Sequence, residues 1–167
     1  MEVKLIEALW KSFITQADSA LNNTSPVKAG LEIFSEKVWL GVPGLPFKYS
    51  SKEHSLLKRS PLLLRLWLFP TMPQYTWLTA VKLGDITILT WPGEPSAELG
   101  FRLQANASAI GYTNTWIFGL TNDYTGYFTT REEFREGRYD SSSSLYNFRG
   151  GERILGHYEL MLRSYDK

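Results

Sequence analysis

Trp91-Pro92-Gly93-Glu94 and Asn122-Asp123-Tyr124-Thr125-Gly126-Tyr127 are the two stretches whose reading decides the fold. Residues 86–91 form an apolar run that ends in Pro-Gly and a carboxylate, and a helix-friendly segment follows. A second apolar run, residues 115–120, ends in the polar, tyrosine-rich loop. Strand, helix and strand in that order predict two parallel neighbours, central in their sheet, with C-terminal ends open on one edge. Ligands of open α/β sheets bind at that edge. Glu94 and Tyr127 are therefore the residues to watch for chemistry.

The flanking sequence is consistent with an α/β domain. Residues 77–82, the Leu83-Gly84-Asp85 turn and residues 86–91 read as a hairpin. After Pro95, a run rich in Ala, Leu, Glu and Arg predicts a helix, with Pro near its start and Gly111 as its stop. Thr130-Arg131-Glu132-Glu133 matches a capping box, so a helix is expected from about Arg131 toward Gly137. Ser141 to Ser144, set between Tyr139 and Tyr146, reads as a packed loop rather than a linker. Ile154, Leu155, Tyr158, Leu160, Met161 and Leu162 give a last helix a broad apolar face.

Upstream, Leu5, Ile6, Leu9, Trp10, Phe13, Ile14, Ala17 and Leu21 recur at three- and four-residue steps, the pattern of an amphipathic helix. Asn22-Asn23-Thr24-Ser25-Pro26 ends it. Residues 31–40 alternate in part and read as one strand or two short ones. Residues 41–46 read as a rigid loop and residues 50–59 as an exposed connection carrying His54, a solvated side chain more readily than a ligand. Residues 62–69 are the strongest apolar run, but the run is short and holds Arg65. A membrane span needs about 20 apolar residues, so this run reads as a buried segment.

Composition narrows the function. The 167 residues, 43% of them hydrophobic, suffice for one domain with a packed core. A net charge of +1 gives no footprint for nucleic acid and no polybasic membrane patch. Cysteine is absent, which excludes disulfides and thiolate zinc sites and leaves the compartment open. No signal-peptide pattern opens the chain, because Glu2, Lys4 and Glu7 break up the early apolar residues. The aromatic share of 14%, with six Trp, is expected to fill a large aromatic core rather than a lipid- or partner-facing surface. A nucleotide-binding domain is disfavoured, since the turn after Trp91 lacks a Gly-rich phosphate loop.

Taken singly, the candidate residues have ordinary explanations. Glu94 reads as a carboxylate favoured by a helix N-terminus, Tyr127 as a loop tyrosine, and Tyr139 as a helix-end aromatic packed on the core. Thr129, Thr130 and Glu133 are accounted for by capping. His157 lies among apolar neighbours in the last helix and reads as packed or half-exposed.

An ordered set of motifs changes these weights. Pro-Gly-Glu at 92–94, Gly-Leu-Thr-Asn-Asp-Tyr-Thr-Gly-Tyr at 119–127, Thr-Thr-Arg-Glu-Glu-Phe at 129–134 and Arg-Tyr-Asp-Ser-Ser-Ser-Ser-Leu-Tyr at 138–146 follow one another. Over residues 78–160 this set resembles the later part of the catalytic domain of neutral/alkaline non-lysosomal ceramidases; residues 1–77 match only loosely. The resemblance implies a zinc amidase that cleaves the N-acyl bond of a ceramide-like lipid. It implies Glu94 as a metal ligand, and Tyr127 as another rather than Tyr124, because the family's ligand is the later aromatic, just before the Thr-Thr step. It implies Tyr139 as the phenol that steadies the oxyanion. Family members are often secreted or membrane-associated.

The family's zinc histidines lie in upstream motifs, and its catalytic serine lies in a Gly-Asp-x-Ser-Pro-Asn type segment; neither occurs here. Gly84-Asp85-Ile86-Thr87 is a superficial echo. The chain is therefore expected to be the second half of a larger domain, a single partial domain over residues 1–167. It would bind zinc only with ligands from a missing N-terminal half, and would expose a large apolar surface to that half or to a second copy. The alternative is a non-catalytic interaction domain that kept the scaffold and lost the metal.

Overall fold

The computed structural model describes residues 2–24, 30–41, 43, 72–137 and 139–165. The expectations for His54, for residues 50–59 and for residues 62–69 lie outside the described residues. Among the described residues, five helices and six strands follow in the order α1 (Glu2–Asn22), β1 (Leu31–Trp39), β2 (Tyr75–Leu83), β3 (Ile86–Thr90), β4 (Glu94–Pro95), α2 (Ala97–Ala109), β5 (Asn114–Phe118), β6 (Tyr127–Phe128), α3 (Arg131–Glu136), α4 (Tyr139–Ser142) and α5 (Asn147–Tyr165). This is the mixed α/β sheet flanked by helices that the alternating pattern predicts.

The main sheet has the order β1-β2-β3-β5. β1, β2 and β3 are antiparallel neighbours, whereas β5 runs parallel to β3, with Ile86 opposite Asn114 and Thr90 opposite Phe118. The two decisive runs are thus parallel neighbours, but β5 forms the sheet's edge instead of a central position. Residues 31–40 yield one strand, not two. The β2–β3 hairpin turns at Gly84-Asp85, with Gly84 at φ +62 in the left-handed region that a tight two-residue turn assigns to glycine.

One face of the sheet carries the core. Val38, Leu78, Ala80 and Leu89 pack with Leu99, Leu103 and Ala107 of α2 and with Ile154, Tyr158, Met161 and Leu162 of α5. Each Val, Leu, Ile or Met among them, fully buried, contributes about 1.5–3 kcal/mol relative to exposure. Tyr158 ties α5 to the sheet where the β2–β3 ladder ends. Its hydroxyl lies at the carbonyl of Thr90, and 3.2 Å from that of Thr79. Burial holds its phenol well above the usual range.

The other face departs from expectation. Only Trp91 among the described tryptophans is buried; Trp10, Trp39, Trp77 and Trp116 are exposed. The sequence pattern assigns a tryptophan to a face of its own strand or helix, but not whether that face meets the chain's own core.

The capping box forms as predicted. Thr130 Oγ1 accepts from the Glu133 amide at 3.2 Å, and Glu133 Oε2 accepts from the Thr130 amide at 2.9 Å. Glu133 also accepts from Ser96 Oγ at 2.7 Å, which joins the start of α2 to the start of α3. Burial opposes ionisation of Glu133, but these hydrogen bonds outweigh it and hold the carboxyl below its usual range. Glu133→Ala should cost about 1–2 kcal/mol. A folded-state pKa below the unfolded one means the stabilisation is present above the ordinary glutamate range and is lost as pH falls through the folded pKa. Thermal melts should therefore separate wild type from variant at pH 7 and bring them closer below about pH 4.

Candidate functional site

The site lies just beyond the C-terminal ends of β3 and β5. After Thr90 the two chains separate and pair again as β4 and β6, a short parallel ladder in which Glu94 is the register partner of Tyr127 and Pro95 that of Phe128. Glu94 was expected at a helix start. It instead lies in β4, and α2 begins at Ala97 with Ser96 as its N-cap. The dipole explanation for this carboxylate is removed.

Backbone hydrogen bonds lock the two loops together. The Glu94 amide donates to Gly126 O at 2.9 Å, Ser96 to Phe128 O at 2.8 Å, Leu120 to Gly93 O at 2.9 Å and Thr125 to Pro92 O at 2.8 Å. Leu120 and Asn122 adopt left-handed φ values of 57° and 71°. For a leucine this conformation costs about 1–2 kcal/mol. The Asn122 side chain helps hold the bend by donating to Trp77 O at 2.8 Å, while Asp123 accepts from Thr76 Oγ1 at 2.6 Å. Beneath the site, Trp91, Phe128 and Tyr146 are buried; Trp91 meets Phe128 edge-on and Phe128 stacks on Tyr146.

Two tyrosines face the half-buried Glu94 carboxylate, and a third stands beside them. Tyr124 Oη donates to Glu94 Oε1 at 3.0 Å. Tyr127 is the ladder partner, and its ring meets that of Tyr139 edge-on with centroids 5.5 Å apart. Partial burial, a hydrogen bond to Glu94 and the nearby carboxylate charge push the Tyr127 phenol up to about 12. The Tyr124 phenol is raised chiefly by its hydrogen bond to Glu94. Tyr139 is exposed at the start of α4, so the expectation of a core-packed aromatic is replaced by a phenol open to solvent.

The sequence candidates Glu94, Tyr127 and Tyr139 are thus brought to one edge. Tyr124, set aside in favour of Tyr127, makes its own hydrogen bond to the same carboxylate. Its signal was its place in Asn-Asp-Tyr, three residues before Tyr127. His157 is elsewhere, half-exposed, with Nδ1 3.6 Å from Glu36 Oε1.

Zinc takes carboxylate oxygen readily, and a dication lowers the pKa of a phenol beside it. A carboxylate flanked by phenols suits a cation, whose charge would counter the burial and the Glu94 contact that now raise the Tyr127 phenol. Structural and catalytic zinc sites use three or four protein ligands. Among the described residues, no group of three or more His, Cys, Asp or Glu is placed to hold a metal. The donors fit part of a zinc site.

Residues 47–153 match the family described as neutral/alkaline non-lysosomal ceramidase, N-terminal. Neutral ceramidase A of Dictyostelium discoideum is 28% identical over 129 residues, which cover 72% of this chain and 18% of that protein. Neutral ceramidase of Drosophila melanogaster is 39% identical over 72 residues, 40% of this chain and 10% of that protein. The chain therefore spans less than a fifth of these curated relatives. Among solved structures, neutral ceramidase from Pseudomonas aeruginosa superposes with a TM-score of 0.60 at 17% identity, covering 81% of this chain and 28% of that one. A ceramidase complexed with C2 gives a TM-score of 0.54 at 24% identity, covering 59% of this chain and 16% of that one. At these identities the structures speak for the fold.

Proposed function

The chain belongs to the neutral/alkaline non-lysosomal ceramidase family, and from that premise we infer that it is a portion of a zinc-dependent amidohydrolase acting on the N-acyl bond of a ceramide-like lipid. The observation that carries this reading is the β4–β6 ladder, which makes Glu94 and Tyr127 register partners at the carboxyl edge of the sheet. That edge is where an α/β sheet receives its ligand.

Zinc, when bound, supplies Lewis-acid polarisation of a carbonyl oxygen. Glu94 would hold it through a carboxylate oxygen, with the other fixed by Tyr124, and Tyr127 would hold it through a phenol oxygen that has lost its proton. Tyr139, open to solvent beside Tyr127, would donate its hydroxyl hydrogen bond to the oxygen that gains charge when water adds to the amide carbonyl. Such donors act in the transition state and need no rearrangement. The carbon–nitrogen bond then breaks and the amine leaves with a proton. Remaining ligands come from outside this chain, from a preceding half of the domain.

The test compares the chain alone with the chain extended by the coding sequence upstream of Met1. Zinc content is measured by elemental analysis and hydrolysis with a short-chain N-acylsphingosine. The extended protein should hold one zinc, cleave the amide and lose activity to a chelator, while the chain alone should do neither. An extended protein that binds no zinc and leaves the amide intact would return the family scaffold to an interaction role.

A further inference from the structure

Tyr127 and Tyr124 reach Glu94 by different means. Tyr127 lies in β6, where the ladder with β4 fixes it, since the Glu94 amide donates to Gly126 O and the Ser96 amide to Phe128 O. Tyr124 lies outside the strands and is exposed, yet its hydroxyl donates to Glu94 Oε1 at 3.0 Å. An exposed side chain on irregular backbone keeps one geometry only where its neighbours are tied down. Those ties lie on both sides of Tyr124. On one side the Pro92 carbonyl accepts from the Thr125 amide at 2.8 Å and also from the Thr125 hydroxyl. On the other, Asp123 accepts from Thr76 Oγ1 at 2.6 Å, and Asn122 Nδ2 donates to Trp77 O at 2.8 Å and to Thr90 Oγ1 at 3.1 Å. A carbonyl only accepts, so the Trp77 contact fixes which end of the Asn122 amide is the nitrogen.

Thr90, the acceptor of Asn122, is itself held on every side. Its hydroxyl oxygen also accepts from the Thr79 amide at 2.8 Å, which with Asn122 fills both lone pairs. Its hydrogen is left for Tyr158 Oη, 3.1 Å away, because the Tyr158 hydrogen is taken by the carbonyls of Thr90 and Thr79. Thr90 and Tyr158 are both buried. Asn122 therefore fastens the exposed loop to a saturated polar network that joins β2, β3 and α5. It also makes the bend, at a left-handed φ of 71° that asparagine adopts more readily than most residues. We propose that Asn122 is a positioning residue for Glu94 and acts through Tyr124. The proposal rests on the reading of Glu94 as a zinc ligand. By holding the loop against β2, Asn122 keeps the Tyr124 hydroxyl on Glu94 Oε1 and leaves the other carboxylate oxygen to the cation. Supporting hydrogen bonds of this kind orient metal ligands and set affinity.

The test uses the extended protein and Asn122→Gly, which removes the side-chain amide while glycine still adopts the left-handed backbone. Zinc affinity is measured by competition with a chelator, well below the melting temperature. Asn122→Gly should weaken it about tenfold, the lower end of what loss of a supporting hydrogen bond costs. Melting should fall by no more than about 4 °C, because the side chain is exposed and its acceptors at the surface regain water. Added to Tyr124→Phe, the same change should weaken zinc further by less than about twofold, since residues acting in series are not additive. An unaltered protein without zinc removes the reading of Glu94 and this proposal with it. Zinc in the unaltered protein and equal affinity in Asn122→Gly removes the proposal alone. A full second loss in the double variant overturns it too, because Asn122 would then act apart from Tyr124. So does a large fall in melting temperature alongside the weaker affinity, which would make Asn122 a residue of general stability.

Discussion

Gly93→Ala is expected to lower the stability of the folded chain by about 3 kcal/mol, at the upper end of what an added methyl costs in a well-packed place. A Cβ at this position would lie 2.3 Å from the carbonyl oxygen of Gly126 and 3.0 Å from Cε2 of Phe128. Neither neighbour is free to move. Gly126 O accepts the Glu94 amide, Gly126 itself sits at φ +82, and Phe128 is fully buried between Trp91 and Tyr146. For a chain of this length each kcal/mol lowers the melting temperature by about 2–4 °C, so a fall on the order of 10 °C should be seen by calorimetry. Gly30, where an added Cβ meets nothing within 4 Å, is the control. Its change to Ala should stay within about 0.5 kcal/mol. Equal melts for the two variants would mean that the β3–β4 and β5–β6 turns are not held as tightly as their hydrogen bonds indicate.

The close approach of these two turns was only partly legible in the sequence. Two apolar runs ending in Pro-Gly-Glu and in Asn-Asp-Tyr-Thr-Gly-Tyr pointed to a shared sheet edge, and the edge exists. Residue types do not reveal that the chains pair again beyond a break, so β4 was invisible and Glu94 was assigned to the helix start. The capping box was fully legible because Thr130 and Glu133, three residues apart, satisfy one another locally. The β2–β3 hairpin was legible for the same reason. The direction of the aromatics was not. In β1, Leu31, Ile33, Ser35 and Lys37 alternate with Glu32, Phe34, Glu36 and Val38, and Leu31 and Ile33 are exposed although they are as apolar as the Phe34 and Val38 that meet the core. Periodicity places side chains on a common face; what covers that face depends on partners that one segment cannot specify.

The largest effects are expected at the candidate site of the extended protein, where three variants should separate into two classes. Glu94→Ala and Tyr127→Phe remove oxygen donors and should weaken zinc binding and lower amide hydrolysis together. Tyr139→Phe should keep its zinc and its KM but lower kcat by about 10²–10³, the usual cost of removing one oxyanion donor. The Tyr127 variant carries a second signature. Its phenol is pushed up to about 12 by partial burial and by Glu94, so at neutral pH it must release a proton to become a ligand. Metal affinity in the unaltered protein should therefore rise with pH, and Tyr127→Phe should flatten that rise by one proton per metal. Tyr124→Phe serves as a comparison, since its hydroxyl holds Glu94 Oε1 without being a ligand. That variant should lower affinity by about 10–100-fold, as loss of a supporting hydrogen bond does, while leaving the proton count unchanged. Full zinc and full activity in both Glu94→Ala and Tyr127→Phe would sink the assignment, whatever the fold. Loss of zinc in Tyr139→Phe would move that phenol from the reacting carbonyl to the metal.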